Sequence, residues 1–232
     1  MTMKYVVEKD GKYDLMTVEP SYGNNYKKGF IGFCYYPSSF FSKAIAKVTK
    51  YCNYSGISIS HVLIVTGENT CIEADAESRK VIESPLTKYF DNEKRIISFR
   101  KPRNLSEQAA EEIAQLAQSK IGCGYEYAQI VGHLGKSLPG IKQFNKITHN
   151  FFVDIISCLI DNKDKFICSE LAAYSLKHAQ SWEYRNKGIL SRMTTRVNPQ
   201  ELFEDRTIFS DWTVSKIPSE NISSGIEIAA KQ

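Results

Sequence analysis

The sequence predicts an α+β domain in which short strands come first, helices follow and a brief β segment closes the chain. The first hundred residues alternate β-branched and aromatic runs with turn residues. After Pro102 the apolar residues instead recur every three or four positions, which is helical spacing. The 232 residues are 42% hydrophobic and 12% aromatic, enough to bury one core. We therefore expect a single domain over 1–232 with strands and helices in separate layers.

In the first hundred residues one helix interrupts a series of strands. The helix is predicted over 39–51, where the apolar residues follow helical spacing and Ser38 or Ser39 can cap the start. The predicted strands cover 5–7, 14–18, 29–34, 57–65, 70–74 and 95–99.

Helices dominate the second half. The first is predicted over 104–120, with Asn104 and Glu107 spaced as a capping box and Gly122 just beyond its end. Further helices are predicted over 125–133, 146–160 and 168–180, and closing strands over 207–209 and 212–214.

Charge and composition narrow the function classes. The 30 Lys and Arg residues against 26 Asp and Glu are scattered, so nucleic-acid binding has little support. No signal peptide is visible, and no segment approaches the roughly 20 apolar residues of a membrane span. The six cysteines form no CxxC pair and are expected to be reduced thiols. We expect a cytoplasmic protein, with delivery by a specialised route left open.

Two segments place reactive side chains where acyl-transfer chemistry needs them. Ser60-His61-Val62 reads as the entry of a strand, and the apolar run before Cys168 becomes a helix at that cysteine. A thiol in the first helical turn faces the positive end of the helix dipole and unpaired amides, which favour a thiolate and can hold an oxyanion. A histidine within reach would activate the thiol. Taken singly, Cys168 also fits core packing and His61 fits a hydrogen-bonded strand residue, and spacing alone does not bring them together.

The order of the motifs resembles the circularly permuted branch of the NlpC-type papain-like superfamily, the YiiX/YebB-like proteins. These are related in fold to the lecithin:retinol acyltransferase group. The mark of that branch is a histidine that precedes the cysteine, and the resemblance covers most of 29–215. The segments that carry it are Gly-Phe-Ile-Gly-Phe at 29–33, the helix at 39–51, Ser-His-Val-x-Ile-Val at 60–65, Ile-Glu-Ala at 72–74, the Val/Pro-Leu stretch at 81–86, Gly-x-x-Tyr-acidic-Tyr at 122–127, Cys-Ser-Glu at 168–170 and Asn-Pro-Gln-Glu-Leu at 198–202.

The resemblance implies a permuted papain-like fold, an antiparallel sheet or partial barrel packed against a helical layer. It makes Cys168 the nucleophile, His61 the general base and Glu73 the group that orients the imidazole. Asp75 shares a strand face with Glu73 and is the alternative orienting group.

Two further parts of the chain bear on the substrate. By the same resemblance Tyr125 and Tyr127 line the substrate pocket, although both fit equally well as helix-core aromatics. Residues 136–164 depart from the family pattern and are expected to be a helical insertion that could roof the cleft.

The implied activity is hydrolysis of an amide bond in a cell-wall-type or related peptide through an acyl-enzyme, without a metal or organic cofactor. One alternative is a lipid acyl hydrolase or acyltransferase of the lecithin:retinol acyltransferase type, whose apolar insertion would contact a membrane surface. The other is a catalytically silent module that binds a peptide or acyl group.

Overall fold

The computed structural model describes residues 1–9, 12–90, 95–125, 165–192, 194 and 197–211. Within these ranges the chain is a mixed α+β structure with mainly antiparallel sheets and a few helices. The strands are β1 (Met3–Lys9), β2 (Lys12–Val18), β3 (Ile31–Tyr35), β4 (His61–Val65), β5 (Thr70–Asp75), β6 (Lys80–Pro85), β7 (Ile96–Arg100), β8 (Gly124–Tyr125) and β9 (Lys165–Phe166). The helices are α1 (Phe40–Val48), α2 (Glu107–Gln118), α3 (Cys168–His178) and α4 (Pro199–Glu204).

Seven strands form one sheet in the order β7-β3-β4-β5-β6-β8-β9, and β1 and β2 form a separate hairpin. Every pairing in the sheet is antiparallel except the last, in which β8 and β9 run parallel. This departs from the all-antiparallel expectation. A parallel pair needs a connection of about a dozen residues or more, and the chain from 126 to 164 supplies that length.

Apolar side chains cover both faces of the central strands. Because side chains alternate along a strand, Val62 and Ile64 of β4 face α2 and α3, whereas Leu63 and Val65 face the opposite way. The second face is covered by Leu86 and other buried residues, and by Met3 from the β1–β2 hairpin. The strands in the middle of the sheet are therefore buried on both sides, which makes them a rigid support for any side chain at their ends.

The strand predicted over 57–65 begins only at His61. The backbone before it is paired with a side chain instead of a strand: the Gln200 amide donates to the Ile57 carbonyl at 2.9 Å, and its oxygen accepts from the Ile59 N–H at 2.8 Å. Gln200 lies in α4 and is 1% exposed. The helix α4 thus holds the approach to β4 through a buried amide.

The start of α2 also differs from the prediction. Its N-cap is Ser106, whose hydroxyl accepts from the Ala109 N–H at 3.1 Å. Asn104 has a φ of 51°, in the left-handed region that asparagine tolerates, and its amide donates to Glu183 at 2.7 Å. Asn104 therefore lies in the turn before the helix, and the predicted Asn104/Glu107 capping box is wrong.

Other elements were mispredicted or missed. The strand β6 was missed because its exposed Lys80 and Glu83 interrupt a short apolar run. Tyr125, predicted to begin a helix, lies in strand β8. The closing strand over 207–209 is reduced to an isolated bridge between Phe209 and Pro102.

Several predictions fall on residues outside the described ranges. They are the helix at 146–160, most of the helix at 125–133, the strand at 212–214 and the insertion at 136–164. No helix in the described parts of the chain is both long and apolar enough to cross a membrane.

Candidate active site

Cys168 is the first residue of α3. The helix begins here because Ile167 is extended, with φ −87° and ψ 162°, and its N–H is accepted by the Glu170 carboxylate at 3.1 Å. Ile167 has no side-chain oxygen to cap the helix, so the amides of the first turn are left to another acceptor. The Ser169 hydroxyl donates to the Val197 carbonyl at 2.7 Å and anchors this turn. The Cys168 side chain therefore sits at the N-terminus of a helix whose first turn is anchored to a neighbouring segment.

His61 is the first residue of β4 and lies opposite Cys34 of β3. Among its neighbours, the Cys168 thiol does most to raise the pKa of the imidazole. Its Nε2 is 2.6 Å from Oε2 of Glu73, so Nδ1 is the ring nitrogen left for the thiol. The His61 side chain is 14% exposed, whereas Cys168 is 4% exposed. The open side of the pair is consequently the histidine side.

Glu73 is a buried carboxylate, 1% exposed, with a full set of partners. Besides His61, the Tyr89 hydroxyl donates to its Oε2, and Lys88 Nζ lies 3.1 Å from its Oε1. Asp75, the alternative orienting group, accepts from the Ser78 N–H at 2.8 Å in the turn that follows β5. Glu73, and not Asp75, is therefore the carboxylate bonded to the imidazole.

The separation of β4 from β5 explains this choice. The two strands pair at Ile64 opposite Ile72 and at Val65 opposite Cys71, and the pairing does not extend to His61 within this described stretch. Where the strands part, groups from both faces of the sheet meet. Cys168 belongs to the core on the helix side, and Tyr89 belongs to the core on the other side.

The surroundings of His61 and Glu73 favour a protonated imidazole and an ionised carboxylate. Burial alone would lower the pKa of His61, but the hydrogen bond and charge of Cys168, followed by those of Glu73, outweigh it and raise the pKa from 6.5 to about 10. Burial would likewise raise the pKa of Glu73, but the hydrogen bond and charge of His61, with hydrogen bonds from Ser84 and Tyr89, hold that pKa well below 4.5. At neutral pH an imidazolium therefore faces a carboxylate.

Cys34 is a second thiol close to this site, but its surroundings make it inert. It is fully buried. Burial first, and then the charge of Glu73, raise the pKa of Cys34 well above its usual value. Because the thiolate is the reactive form of cysteine, Cys34 is held as an unreactive thiol.

Three more side chains complete the surroundings of His61. The Tyr89 ring stacks nearly parallel to the imidazole with 6.3 Å between ring centroids, and the Tyr36 ring lies 6.4 Å away. The guanidinium of Arg95 lies 4.8 Å from the centroid of Tyr36. No local pattern in the sequence links these three residues or Lys88 to Cys168 or His61, so they were not predicted.

The structure thus brings together Cys168, His61 and Glu73 from three separate elements. It describes only the backbone of Tyr125, which pairs with Phe166 just before Cys168, and Tyr127 lies outside the described residues. Among the residues that the structure describes, no group of three histidine, cysteine or acidic side chains is arranged to hold a metal ion.

Comparison of the chain with protein-family models, with curated proteins and with solved structures found no match.

A cavity of about 370 Å³ lies away from these residues. It is lined by the far end of β7, the start of α2 and the loop that carries Lys27. Lys27 there is paired with Glu107 at 2.5 Å. Neither Cys168 nor His61 lines this cavity, so it is separate from the candidate active site.

Proposed function

We propose that this protein is a cysteine-nucleophile hydrolase that cleaves amide bonds through a covalent acyl-enzyme. The observation that carries the proposal is the position of His61, whose Nε2 lies 2.6 Å from the buried Glu73 carboxylate and whose pKa is raised by the neighbouring Cys168 thiol. A nucleophile, its base and a group that orients the base are the three parts that acyl transfer requires.

In the first half of the cycle the Cys168 thiolate attacks the carbonyl carbon, and a carbon–sulfur bond forms. The electron pair of the carbonyl moves to its oxygen, which the positive end of the α3 dipole can stabilise. The proton on Nδ1 of the His61 imidazolium passes to the nitrogen of the leaving group, and the carbon–nitrogen bond breaks. A thioester on Cys168 and a free amine result.

In the second half a water molecule attacks the thioester carbonyl. Neutral His61 accepts a proton from that water, a carbon–oxygen bond forms, and the carbon–sulfur bond breaks. Cys168 leaves as a thiolate beside the protonated imidazole, and a carboxylic acid is released. Glu73 holds the imidazole in one orientation throughout, and Lys88 and Tyr89 hold Glu73.

We further propose that the fold is a circularly permuted papain-like one. In support, β4 and β5 carry the histidine and the carboxylate, and they precede in sequence the helix whose first residue is the cysteine. That order matches the motif order of the YiiX/YebB-like proteins, and it favours a cell-wall-type or related peptide as the substrate. The lipid alternative depends on 136–164, which lies outside the described residues.

The rate of iodoacetamide labelling, read cysteine by cysteine by mass spectrometry, tests the proposal. Cys123 is the matched reference because it is more exposed than Cys168. We expect Cys168 to label faster than Cys123 near pH 6, where an ordinary thiol with a pKa of about 8.5 is protonated. Access alone would give the reverse order.

Two variants separate activation from mere reactivity. In His61→Ala, Cys168 should no longer label faster than Cys123 at low pH, but it should still react at high pH. Cys168→Ala should abolish amide hydrolysis and leave the melting temperature nearly unchanged. If Cys168 labels no faster than Cys123, the nucleophile is not activated and a silent binding module becomes the better account.

A further inference from the structure

Arg95 stands at the open side of the site. It immediately precedes β7, and its guanidinium packs over the rings of Tyr36 and Tyr89 at 4.8 and 5.9 Å. Both rings neighbour the imidazole of His61. His61, Tyr36 and Arg95 are all partly exposed, whereas Tyr89 is buried. The guanidinium is therefore close to the partly exposed histidine of the candidate active site.

Among the residues that the structure describes, the charges around His61 leave no carboxylate to balance the positive charge of Arg95. Glu73 is balanced by Lys88, whose Nζ lies 3.1 Å from it, and the imidazolium is balanced by the thiolate in the proposed resting state. Within the described ranges, the contacts of Arg95 are the two aromatic rings and the Lys88 carbonyl, and none is a carboxylate. The charges of Arg95, Glu73 and Cys168 all affect the pKa of the Cys34 thiol, so the three groups lie in one small region.

The guanidinium is also held in place with donors to spare. One of its nitrogens, Nη1, donates to the Lys88 carbonyl at 3.1 Å, and its Cζ lies over the Tyr36 ring at 4.8 Å from the centroid. A guanidinium carries five N–H donors in a planar fork that matches a carboxylate. Because the guanidinium is held in place before the substrate binds, binding costs less side-chain conformational entropy.

We infer that Arg95, stacked on Tyr36, binds a carboxylate of the substrate close to the scissile amide. The inference rests on the proposed function and names its substrate class: peptides that carry a free carboxylate near the bond to be cut. The guanidinium lies 4.8 Å from the Tyr36 ring centroid, and that centroid lies 6.4 Å from the imidazole, so two or three extended residues at about 3.3–3.6 Å each can cover the distance between them. Arg95 is in this role a specificity-determining residue.

Paired alkylating peptides test the inference without a known substrate. Iodoacetyl peptides of one to three glycines are prepared with a free C-terminal carboxylate or as the C-terminal amide, and the rates of Cys168 alkylation are compared at one pH. We expect at least one acid to react about fivefold faster than its amide, and the preference to shrink in high salt. Arg95→Gln should bring the ratio of the acid rate to the amide rate close to one.

Arg206 is the matched control, because its guanidinium stacks on Tyr13 at 5.2 Å, away from the site. Arg206→Gln should keep the full preference. Arg95→Lys, which keeps the charge and loses the planar fork, should retain part of it and serves as the test if Arg95→Gln does not fold. Amidated probes with glutamate or glutamine in place of one glycine then distinguish an acidic side chain from a peptide C-terminus as the source of the carboxylate.

Equal acid-to-amide ratios in the wild type and in Arg95→Gln would overturn the inference and leave the nucleophile intact. A Cys168 that reacts no faster than Cys123 with the amide probes would overturn the proposed function and the inference together.

Discussion

Glu73 is the residue on which the charge state of the site depends. Its two oxygens meet an imidazole, a phenol and an ammonium, and its side chain is 1% exposed. A carboxylate in that setting cannot be solvated by water, so its charge is balanced by the hydrogen bonds and by His61. His61 in turn gains a higher affinity for its proton.

A substitution at Glu73 therefore moves the titration of His61. In Glu73→Gln the imidazolium loses the carboxylate that helps to raise its pKa to about 10, so the midpoint of its titration should fall. A two-dimensional ¹H–¹⁵N NMR titration of the histidine ring measures that midpoint. Asp75→Asn is the control, since Asp75 bonds to the Ser78 N–H and not to His61. An unchanged midpoint in Glu73→Gln would contradict the coupling.

At this scale the sequence indicated the residue types but left the choice of the orienting carboxylate open. The alternation of a strand placed Glu73 and Asp75 on one face and could not choose between them. The choice follows from where β4 and β5 stop pairing, which is a long-range property. Lys88 and Tyr89 were not predicted at all, because they reach Glu73 from the 3₁₀ turn after β6 and the residue beyond it.

Among the elements, α4 has an effect on the site that its six residues do not reveal. Its Gln200 replaces a strand partner for the backbone of residues 57 and 59, just before His61. The strand that carries His61 therefore starts at a point set by the side chain of Gln200, which lies 141 positions after Ile59 in the sequence. The helix α4 itself begins at the cap Asn198, whose side chain accepts from the Glu201 N–H.

Replacing Gln200 by leucine tests this connection. Gln200→Leu keeps much of the side-chain volume but leaves the Ile57 carbonyl and the Ile59 N–H without their partner in a buried place. We expect the free energy of unfolding to fall by about 2 kcal/mol and the alkylation of Cys168 to slow, because His61 loses its support. Urea unfolding and labelling rates measure the two effects.

The control for that substitution is Gln108→Leu. Gln108 is exposed on α2, where its amide reaches only Glu112 at 3.3 Å. The control should change the free energy of unfolding by less than about 0.5 kcal/mol. Equal losses from the two substitutions would show that the Gln200 bridge has no special role.

For the whole molecule, the His61–Glu73 pair links stability to pH. The pKa of His61 is higher in the folded chain than its value of 6.5 when unfolded, so its contribution is complete below pH 6.5 and is lost as pH rises through about 10. The pKa of Glu73 is lower than 4.5 in the folded chain, so its contribution is present above pH 4.5 and is lost at lower pH. The pair therefore stabilises the fold most between pH 4.5 and pH 6.5.

The difference in unfolding free energy between the wild type and Glu73→Gln should accordingly be larger near pH 6 than near pH 10. Denaturant unfolding of both proteins at each pH gives this difference, and groups that titrate equally in the two proteins cancel. A difference that stays constant or grows toward pH 10 would contradict the assigned direction of the His61 pKa.

The sequence by itself determined the α+β class, most of the strands, the helix that starts at Cys168 and the candidate pair of Cys168 and His61. These are local properties, because alternation, helical spacing and helix ends depend on neighbouring residues. Tertiary structure decided the rest. The meeting of Cys168 with His61, the choice of Glu73, and the contacts of Lys88, Tyr89 and Arg95 all depend on where two strands separate and on which elements pack beside the gap. Distances in space between residues far apart in the chain have no local pattern from which they could be predicted.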